Sequence, residues 1–142
     1  MATSQKPTAK SATARKCVLI VEDNALNMKL FSAMIGAQGH DVLQAANGLQ
    51  ALEAARGGHP DLIIMDLQLP DISGLEVTRT LKSDDLTRDI PIVATTAYAM
   101  RTNEAAIRNS GCDGFMAKPI AISEFLELIE SLMMRKVCEP VG

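Results

Sequence analysis

Five short apolar runs alternate along the chain with five longer segments of helical period. This alternation is typical of an α/β protein, because a parallel strand needs a crossover before the next strand can pair with it. The apolar runs predict strands at Cys17–Glu22, Val42–Ala45, Leu62–Asp66, Ile92–Thr95 and Gly114–Ala117. The first and third runs do not alternate with polar residues, as expected of central strands that are covered on both faces.

The segments between these runs predict five helices. Their expected bounds are Ala25–Ala37, Gly48–Ala55, Gly74–Lys82, Asn103–Ser110 and Ser123–Arg135. Large apolar residues in the first and last segments recur with a period of about 3.6, so they form faces that can cover a sheet. We therefore expect a flavodoxin-like (βα)5 fold, in which a parallel sheet of strand order 2-1-3-4-5 carries helices on both faces.

A chain of 142 residues fits one domain. Residues 1–16 hold four basic residues, no acid and no large apolar residue after Met1, which predicts a disordered basic tail. An organellar transit peptide is the alternative, although the amphipathic period of such peptides is missing. Residues 17–135 are then expected to form the domain, and residues 136–142 a C-terminal tail.

The formal net charge is -3, and because the tail is basic the remaining residues carry -7. An acidic domain lacks the basic face that binding to nucleic acid requires, so no direct nucleic-acid contact is expected. No apolar run approaches the roughly 18 residues that span a bilayer, which argues against membrane insertion. Three cysteines without a CxxC pair indicate neither a zinc site nor a disulfide framework, so a cytoplasmic protein is expected.

Acidic residues end two strands that are neighbours in the expected sheet. Glu22 and Asp23 close strand 1, and Asp66 closes strand 3. Ligands of such sheets bind outside the carboxyl ends of the strands, where these carboxylates would meet. The cluster repels itself unless a cation compensates, and hard oxygen ligands at an open site favour Mg²⁺. The sequence therefore predicts a magnesium site at this edge.

An ammonium and a hydroxyl are predicted at the same edge. Lys118 follows strand 5, and Thr96 follows the predicted end of strand 4. Together with a carboxylate and a divalent metal, they form the set of groups that phosphoryl transfer requires. Taken singly, Asp66 could be a turn cap, Lys118 a surface lysine and Thr96 an ordinary strand residue. Their joint placement favours a phosphate site.

Several separate motifs resemble the CheY-like receiver domains of two-component signalling, over about residues 17–135. The matching stretches are Leu19–Asp23, Met65–Gly74, Thr96–Ala97 and Phe115–Pro119. The resemblance implies a response regulator that takes a phosphoryl group from a histidine kinase. It also implies roles for single residues. Asp66 would accept the phosphoryl group, and Lys118 would pair with that group. Asp23, Asp66 and the Gln68 backbone carbonyl would bind Mg²⁺ directly and Glu22 through water, while Thr96 and Phe115 would form the switch.

Three further stretches resemble single-domain receivers that regulate cell division and differentiation. They are Val21–Phe31, Ala37–His40 and Ala97–Met100. This implies sensor histidine kinases or phosphatases as partners. The chain ends about seven residues after the last predicted helix, so output is expected through a protein target that contacts the face of helix 4, strand 5 and helix 5.

Gln68 and Tyr98 lie two residues past Asp66 and Thr96, so we expect them to flank the phosphoryl group and limit the approach of water. Phe115 also has an ordinary interpretation, because a single aromatic residue in a strand usually belongs to the core. His40 and His59 lie in predicted loops and are expected to be solvated. Cys112 is expected to be a small buried residue.

Two other functions remain open at this stage. Hydrolases of the haloacid-dehalogenase kind also use an aspartate at a strand end with Mg²⁺, but they require a second acid where this chain has Gln68. An adaptor with the same fold that never takes phosphate is the other alternative. The intact acids and Lys118 favour the phosphorylation switch, which promotes its own phosphorylation and dephosphorylation and is not otherwise an enzyme.

Overall fold

The computed structural model describes residues 15–96, 104–118 and 120–138. Its strands are β1 (Cys17–Val21), β2 (Asp41–Ala45), β3 (Leu62–Asp66), β4 (Ile92–Thr96) and β5 (Gly114–Ala117). Its helices are α1 (Ala25–Ala37), α2 (Gly48–Gly58), α3 (Gly74–Ser83), α4 (Glu104–Asn109) and α5 (Ile122–Cys138). Each predicted strand and helix is present, with bounds that differ by a few residues. The predicted start of the fourth helix at Asn103 lies outside the described residues.

The strands are all parallel and pair in the order β2-β1-β3-β4-β5, which confirms the predicted topology. Every residue of β3 and β4 is buried, whereas the edge strands β2 and β5 are partly exposed. The continuous apolar runs thus occupy the positions that helices cover on both faces. Because β1 and β3 are neighbours, the acidic residues that follow or end them meet at one edge of the sheet.

The apolar residues of β1 to β4 that enter the protein interior alternate between two hydrophobic cores. One core lies under α1 and α5, where the rings of Phe31 and Phe125 approach each other with centroids 5.3 Å apart. The other lies under α2 and α3 and includes Ala51 and Leu81. The two cores fix the sheet from both sides and so hold its carboxyl edge in place.

Helix α2 ends later than the sequence predicts. It continues past Ala55 to Gly58, and His59 then takes the left-handed conformation with φ 46° at the helix end. Gly58 is the last residue of the helix, and a Cβ there would lie 2.6 Å from Cδ1 of Leu43. The left-handed residue at the end of this helix is therefore a histidine and not a glycine.

His40 is buried, so the prediction that it is solvated is wrong. The residue is 8% exposed, and its Nδ1 accepts a hydrogen bond from the backbone N–H of Lys16 at 3.0 Å. Burial lowers the pKa of His40. Residues 15 and 16 cause this burial, since Lys16 also accepts from the N–H of Asp41 and Arg15 pairs with the Asp41 carboxylate.

His59 is exposed as predicted. Cys112 is half-buried, and its thiol donates to the carbonyl oxygen of Ile107 at 3.3 Å. At the C-terminal end, α5 continues past the predicted limit of Arg135 to Cys138. Across the described ranges, no helix combines the length and the apolar character needed to cross a membrane. Most of the predicted N-terminal tail, residues 1–14, lies outside those ranges.

Candidate functional site

Three carboxylates meet at the carboxyl edge of the sheet. Glu22 follows β1 and Asp66 ends β3, and each is only 2% exposed, whereas Asp23 is exposed. One carboxylate oxygen from each residue lies within 4.8 Å of the others. The N–H of Glu22 donates to the carbonyl oxygen of Ala45, which extends the pairing of β1 with β2 up to the cluster. The sheet thus brings together the acids that the sequence places at two strand ends.

Lys118 supplies a positive charge to the same cluster. Its Nζ lies 2.9 Å from Oε1 of Glu22 and 3.5 Å from Oδ2 of Asp66. Its backbone N–H donates to the carbonyl oxygen of Thr96 at 2.8 Å, so the chain after β5 is tied to the end of β4. A single ammonium among three carboxylates leaves the site negative and able to attract a cation.

Asp66 bears the largest electrostatic cost in this arrangement. Burial raises the pKa of its carboxyl from 3.8 to about 6. The N–H of Gln68, which donates to Oδ1 at 3.0 Å, acts against this rise, as does the charge of Lys118, while neighbouring Glu22 adds to it. A cation beside Asp66 would favour the ionised form and offset this cost.

The donor set of the cluster fits Mg²⁺. Carboxylate oxygens are the hard ligands that this ion prefers, and exposed Asp23 leaves one side open for the waters that Mg²⁺ retains. Glu22, Asp23 and Asp66 could hold the ion. The backbone carbonyl of Gln68, the further ligand that the family resemblance implies, belongs to a residue whose N–H already bonds to Asp66.

The hydroxyl of Thr96 lies at the same edge and is connected to the loop between β3 and α3. Thr96 is 3% exposed, and its Oγ1 accepts a hydrogen bond from Nε2 of Gln68 at 3.3 Å. A backbone hydrogen bond joins the same loop to β4, since the N–H of Leu67 donates to the carbonyl oxygen of Thr95. Sequence reasoning assigned Gln68 and Thr96 to one site, but it did not predict that their side chains bond to each other.

Phe115 lies on β5 and outside both hydrophobic cores. Its side chain is 36% exposed, so the interpretation of this residue as core is wrong. The register pairs Phe115 with Ala94 and Ala117 with Thr96. Since side chains alternate along a strand, Phe115 and Thr96 face the same side of the sheet. Tyr98, the other residue expected near the site, lies outside the described residues.

The loop between β3 and α3, residues 67–73, folds tightly against the site. The N–H of Gly74 donates to the carbonyl oxygen of Leu67 at 3.1 Å, and a Cβ on Gly74 would overlap the backbone oxygen of Asp66. Asp71 binds two backbone N–H groups at the start of α2, a contact that sequence reasoning missed. An acid beside proline signals a turn, and nothing in the sequence indicates that a distant helix begins beside it.

A family model for the response regulator receiver domain matches residues 18–130. Among curated proteins, the polar-differentiation response regulator DivK of Brucella anthropi is 52% identical over 118 residues, which cover 83% of this chain and 96% of that protein. DivK of Brucella ovis has the same identity and coverage. These relatives confirm the predicted resemblance to receivers that regulate differentiation.

Solved structures similar to this chain are also receiver domains. The receiver domain of a sensor histidine kinase from Pseudomonas aeruginosa, with a magnesium ion coordinated in its active-site cleft, is 31% identical with a TM-score of 0.79, over 84% of this chain and 98% of that one. A CheY-like receiver from Methanospirillum hungatei is 25% identical with a TM-score of 0.83, over 89% and 99%. With this fold, this acidic edge and these relatives, the chain belongs to the response regulator receiver family.

Proposed function

We propose that this receiver is a phosphorylation switch in which Asp66 takes a phosphoryl group from a histidine kinase. The observation that carries the proposal is a buried carboxylate at the sheet edge, with a second buried acid and an ammonium beside it. Asp66 lies beside exposed Asp23 at the carboxyl edge of the sheet and is poorly compensated without a cation. Both properties suit an acceptor that works together with a metal.

In the transfer, an oxygen of Asp66 forms a bond to phosphorus as the bond from phosphorus to the histidine nitrogen breaks, and the imidazole leaves. Lys118 lies beside Oδ2 of Asp66 and can pair with a phosphoryl oxygen as charge develops there. Mg²⁺, when bound, supplies charge compensation to the acids and to the phosphoryl oxygens. Glu22, Asp23, Asp66 and the Gln68 carbonyl would hold it, with Glu22 acting through water.

The signal would leave the site through Thr96 and Phe115. Phosphorylation adds about 1.5 to 2 negative charges, which attract the Thr96 hydroxyl and compete with its bond to Gln68. Phe115 faces the same side of the sheet and already lies partly in solvent, so its ring is able to change position. The face formed by α4, β5 and α5 would then differ between the two states.

The partners we propose are sensor histidine kinases or phosphatases, and a downstream protein that reads the α4, β5 and α5 face. The relatives named for polar differentiation support a role in cell division or differentiation. The acidic charge of residues 17–142 disfavours direct contact with nucleic acid, and we place the protein in the cytoplasm. The receiver would extend from Arg15 to Cys138, because Arg15 and Lys16 bond to Asp41 and His40 and α5 reaches Cys138. The two predicted tails would therefore be shorter than residues 1–16 and 136–142.

Gln68 and Tyr98 are the residues we propose to set the lifetime of the phosphorylated form. Gln68 is half-buried beside Asp66, and its amide reaches across to Thr96. A side chain in this position limits the room for the water that would hydrolyse the acyl phosphate. Beyond this self-dephosphorylation, we expect the protein to turn over no substrate.

The proposed function is tested by incubation with acetyl phosphate, with and without Mg²⁺. A switch gains one phosphoryl group that mass spectrometry detects and that depends on the metal. The variant Asp66→Asn should gain none, while Asp89→Asn, which removes an exposed acid outside the cluster, should react as the parent protein does. Steady turnover of phosphate esters would instead favour the hydrolase, and no reaction at all would favour the adaptor.

A further inference from the structure

Helix α2 begins with three backbone N–H groups that are all bonded, and two of them are bonded to a distant loop. The N–H of Gln50 donates to the side chain of Asn47, the N-cap of the helix. The N–H of Gly48 donates to Oδ1 of Asp71 at 2.7 Å, and that of Leu49 donates to Oδ2 at 3.0 Å. The first N–H groups of a helix have no partner inside it, so Asp71 provides what the helix itself cannot.

The contact between the loop and α2 is close as well as polar. A Cβ on Gly48 would lie 3.0 Å from both Cβ of Ile72 and Cγ2 of Val77. A glycine at the first position of the helix therefore lets the loop approach near enough for both oxygens of Asp71 to bond. These hydrogen bonds, the one from Gly48 foremost, lower the pKa of Asp71, so the carboxylate is charged at neutral pH.

The same short loop leads directly from the acidic cluster. Its first turn is fixed where the N–H of Gln68 donates to Asp66. Between Gln68 and Asp71 the chain contains Leu69 and Pro70, and the proline ring restricts the backbone further. With so few residues between the two attachments, the position of Asp71 limits where the Gln68 peptide can lie.

We propose that Asp71 is a positioning residue for the metal site. By bonding two N–H groups of α2, it holds the loop so that the backbone carbonyl of Gln68 can bind Mg²⁺ together with the three carboxylates. The inference rests on the proposed function, because it takes the cluster to bind Mg²⁺. Asn47 continues to cap α2 without Asp71, so loss of Asp71 releases the loop more than it unfolds the helix.

The test is a calorimetric titration of Asp71→Ala with Mg²⁺, without any phosphate donor. We expect Mg²⁺ to bind about tenfold more weakly, the low end of the effect for residues that orient metal ligands. The matched control is Asn47→Ala, which removes a cap from the same helix but leaves both bonds of the loop intact. Its Mg²⁺ affinity should equal that of the parent protein, although it loses helix stability as Asp71→Ala does.

Two more variants distinguish a failure of the positioning role of Asp71 from a failure of the metal site itself. Asp71→Asn keeps one oxygen acceptor and should bind Mg²⁺ with an affinity between those of the parent and Asp71→Ala. Equal affinities for the parent and both Asp71 variants, or equal losses in Asp71→Ala and Asn47→Ala, would overturn the positioning role. Asp23→Asn removes a proposed ligand, so an unchanged Mg²⁺ affinity in that variant would refute the metal site itself. If Asp71→Ala does not fold, Asp71→Asn decides the question alone.

Discussion

Replacing Asp66 with asparagine should stabilise the metal-free protein at neutral pH, although it removes the proposed phosphoacceptor. Asp66 is almost fully buried beside a second acid, and burial raises its pKa to about 6 from 3.8. A carboxyl whose pKa is higher in the folded than in the unfolded protein destabilises the fold once it is ionised. Asparagine has nearly the same shape, and its side-chain oxygen can still accept from the N–H of Gln68.

The size of the gain follows from the two pKa values. A difference of one pH unit corresponds to about 1.4 kcal/mol, so the interval from 3.8 to about 6 corresponds to about 3 kcal/mol. The destabilisation of the parent protein is complete well above the folded-state pKa and decreases as the pH falls through it. Roughly half should remain at pH 5, and almost none below the unfolded-state value of 3.8.

Urea unfolding in the presence of a chelator measures this difference. At pH 8, Asp66→Asn should exceed the parent in free energy of unfolding by about 3 kcal/mol, and at pH 5 by roughly half of that. Asp89→Asn, which changes an exposed acid away from the cluster, controls for the loss of one negative charge. Equal stability of parent and Asp66→Asn at pH 8, or a gain that does not change with pH, would refute the reasoning. Added Mg²⁺ should stabilise the parent more than the variant.

Three further predictions follow from neighbouring residues. Among the described residues, Thr95 has a buried hydroxyl without a hydrogen-bond partner, so Thr95→Val should raise the free energy of unfolding by about 1 kcal/mol in urea titrations, and a loss would contradict this. Gly74→Ala should lower it by about 1 to 3 kcal/mol, because the added Cβ overlaps the backbone of Asp66; an unchanged value would mean that the loop shifts without cost. Thr96→Ala and Phe115→Ala should still accept phosphate but lose most of the phosphorylation-dependent gain in affinity for a partner. Binding measured with both forms of each variant checks this, and an affinity ratio like that of the parent in both would show that the signal takes another path.

The sheet and its acidic edge could be predicted because both depend on patterns local to each strand. Apolar runs such as Val18–Val21 fit only a strand covered on two faces, and the carboxyl ends of neighbouring parallel strands lie at one edge whatever the loops do. Glu22 and Asp66 therefore met where they were expected. The strand order itself came from the general rule for such sheets, and the structure confirms it.

The features that the sequence did not reveal depend on contacts between distant segments. His40 follows Gly39 in a connection between a helix and a strand, a setting typical of exposed residues, and it is buried because the chain before β1 covers it. Asp71 lies in a stretch whose composition is that of an ordinary turn, and its partners are N–H groups of a helix that begins 23 residues earlier. In both cases the interaction exists only once the sheet order has brought the segments together.

The position of an acid in the sheet, more than the number of acids nearby, explains why one edge forms the site. At the amino edge, Asp61 accepts from the N–H of Cys17 and Asp113 accepts from that of Ile92, each at 2.9 Å. These donors are the first residues of β1 and β4, because a strand presents free N–H groups where it begins. At the carboxyl edge a strand presents carbonyl oxygens instead, so acids placed there must find donors in loops or side chains.

That difference explains why the carboxylates of the acidic cluster are not equally compensated by hydrogen-bond donors and positive charge. Glu22 takes the closer contact with Lys118, at 2.9 Å, and Asp66 is left with the longer one, at 3.5 Å, and with one N–H from the loop. Asp113 at the other edge has both an N–H and the ammonium of Lys82 at 2.9 Å, so it gains little from a metal. Asp66 is consequently the acid in this comparison whose ionised form gains most from an added cation.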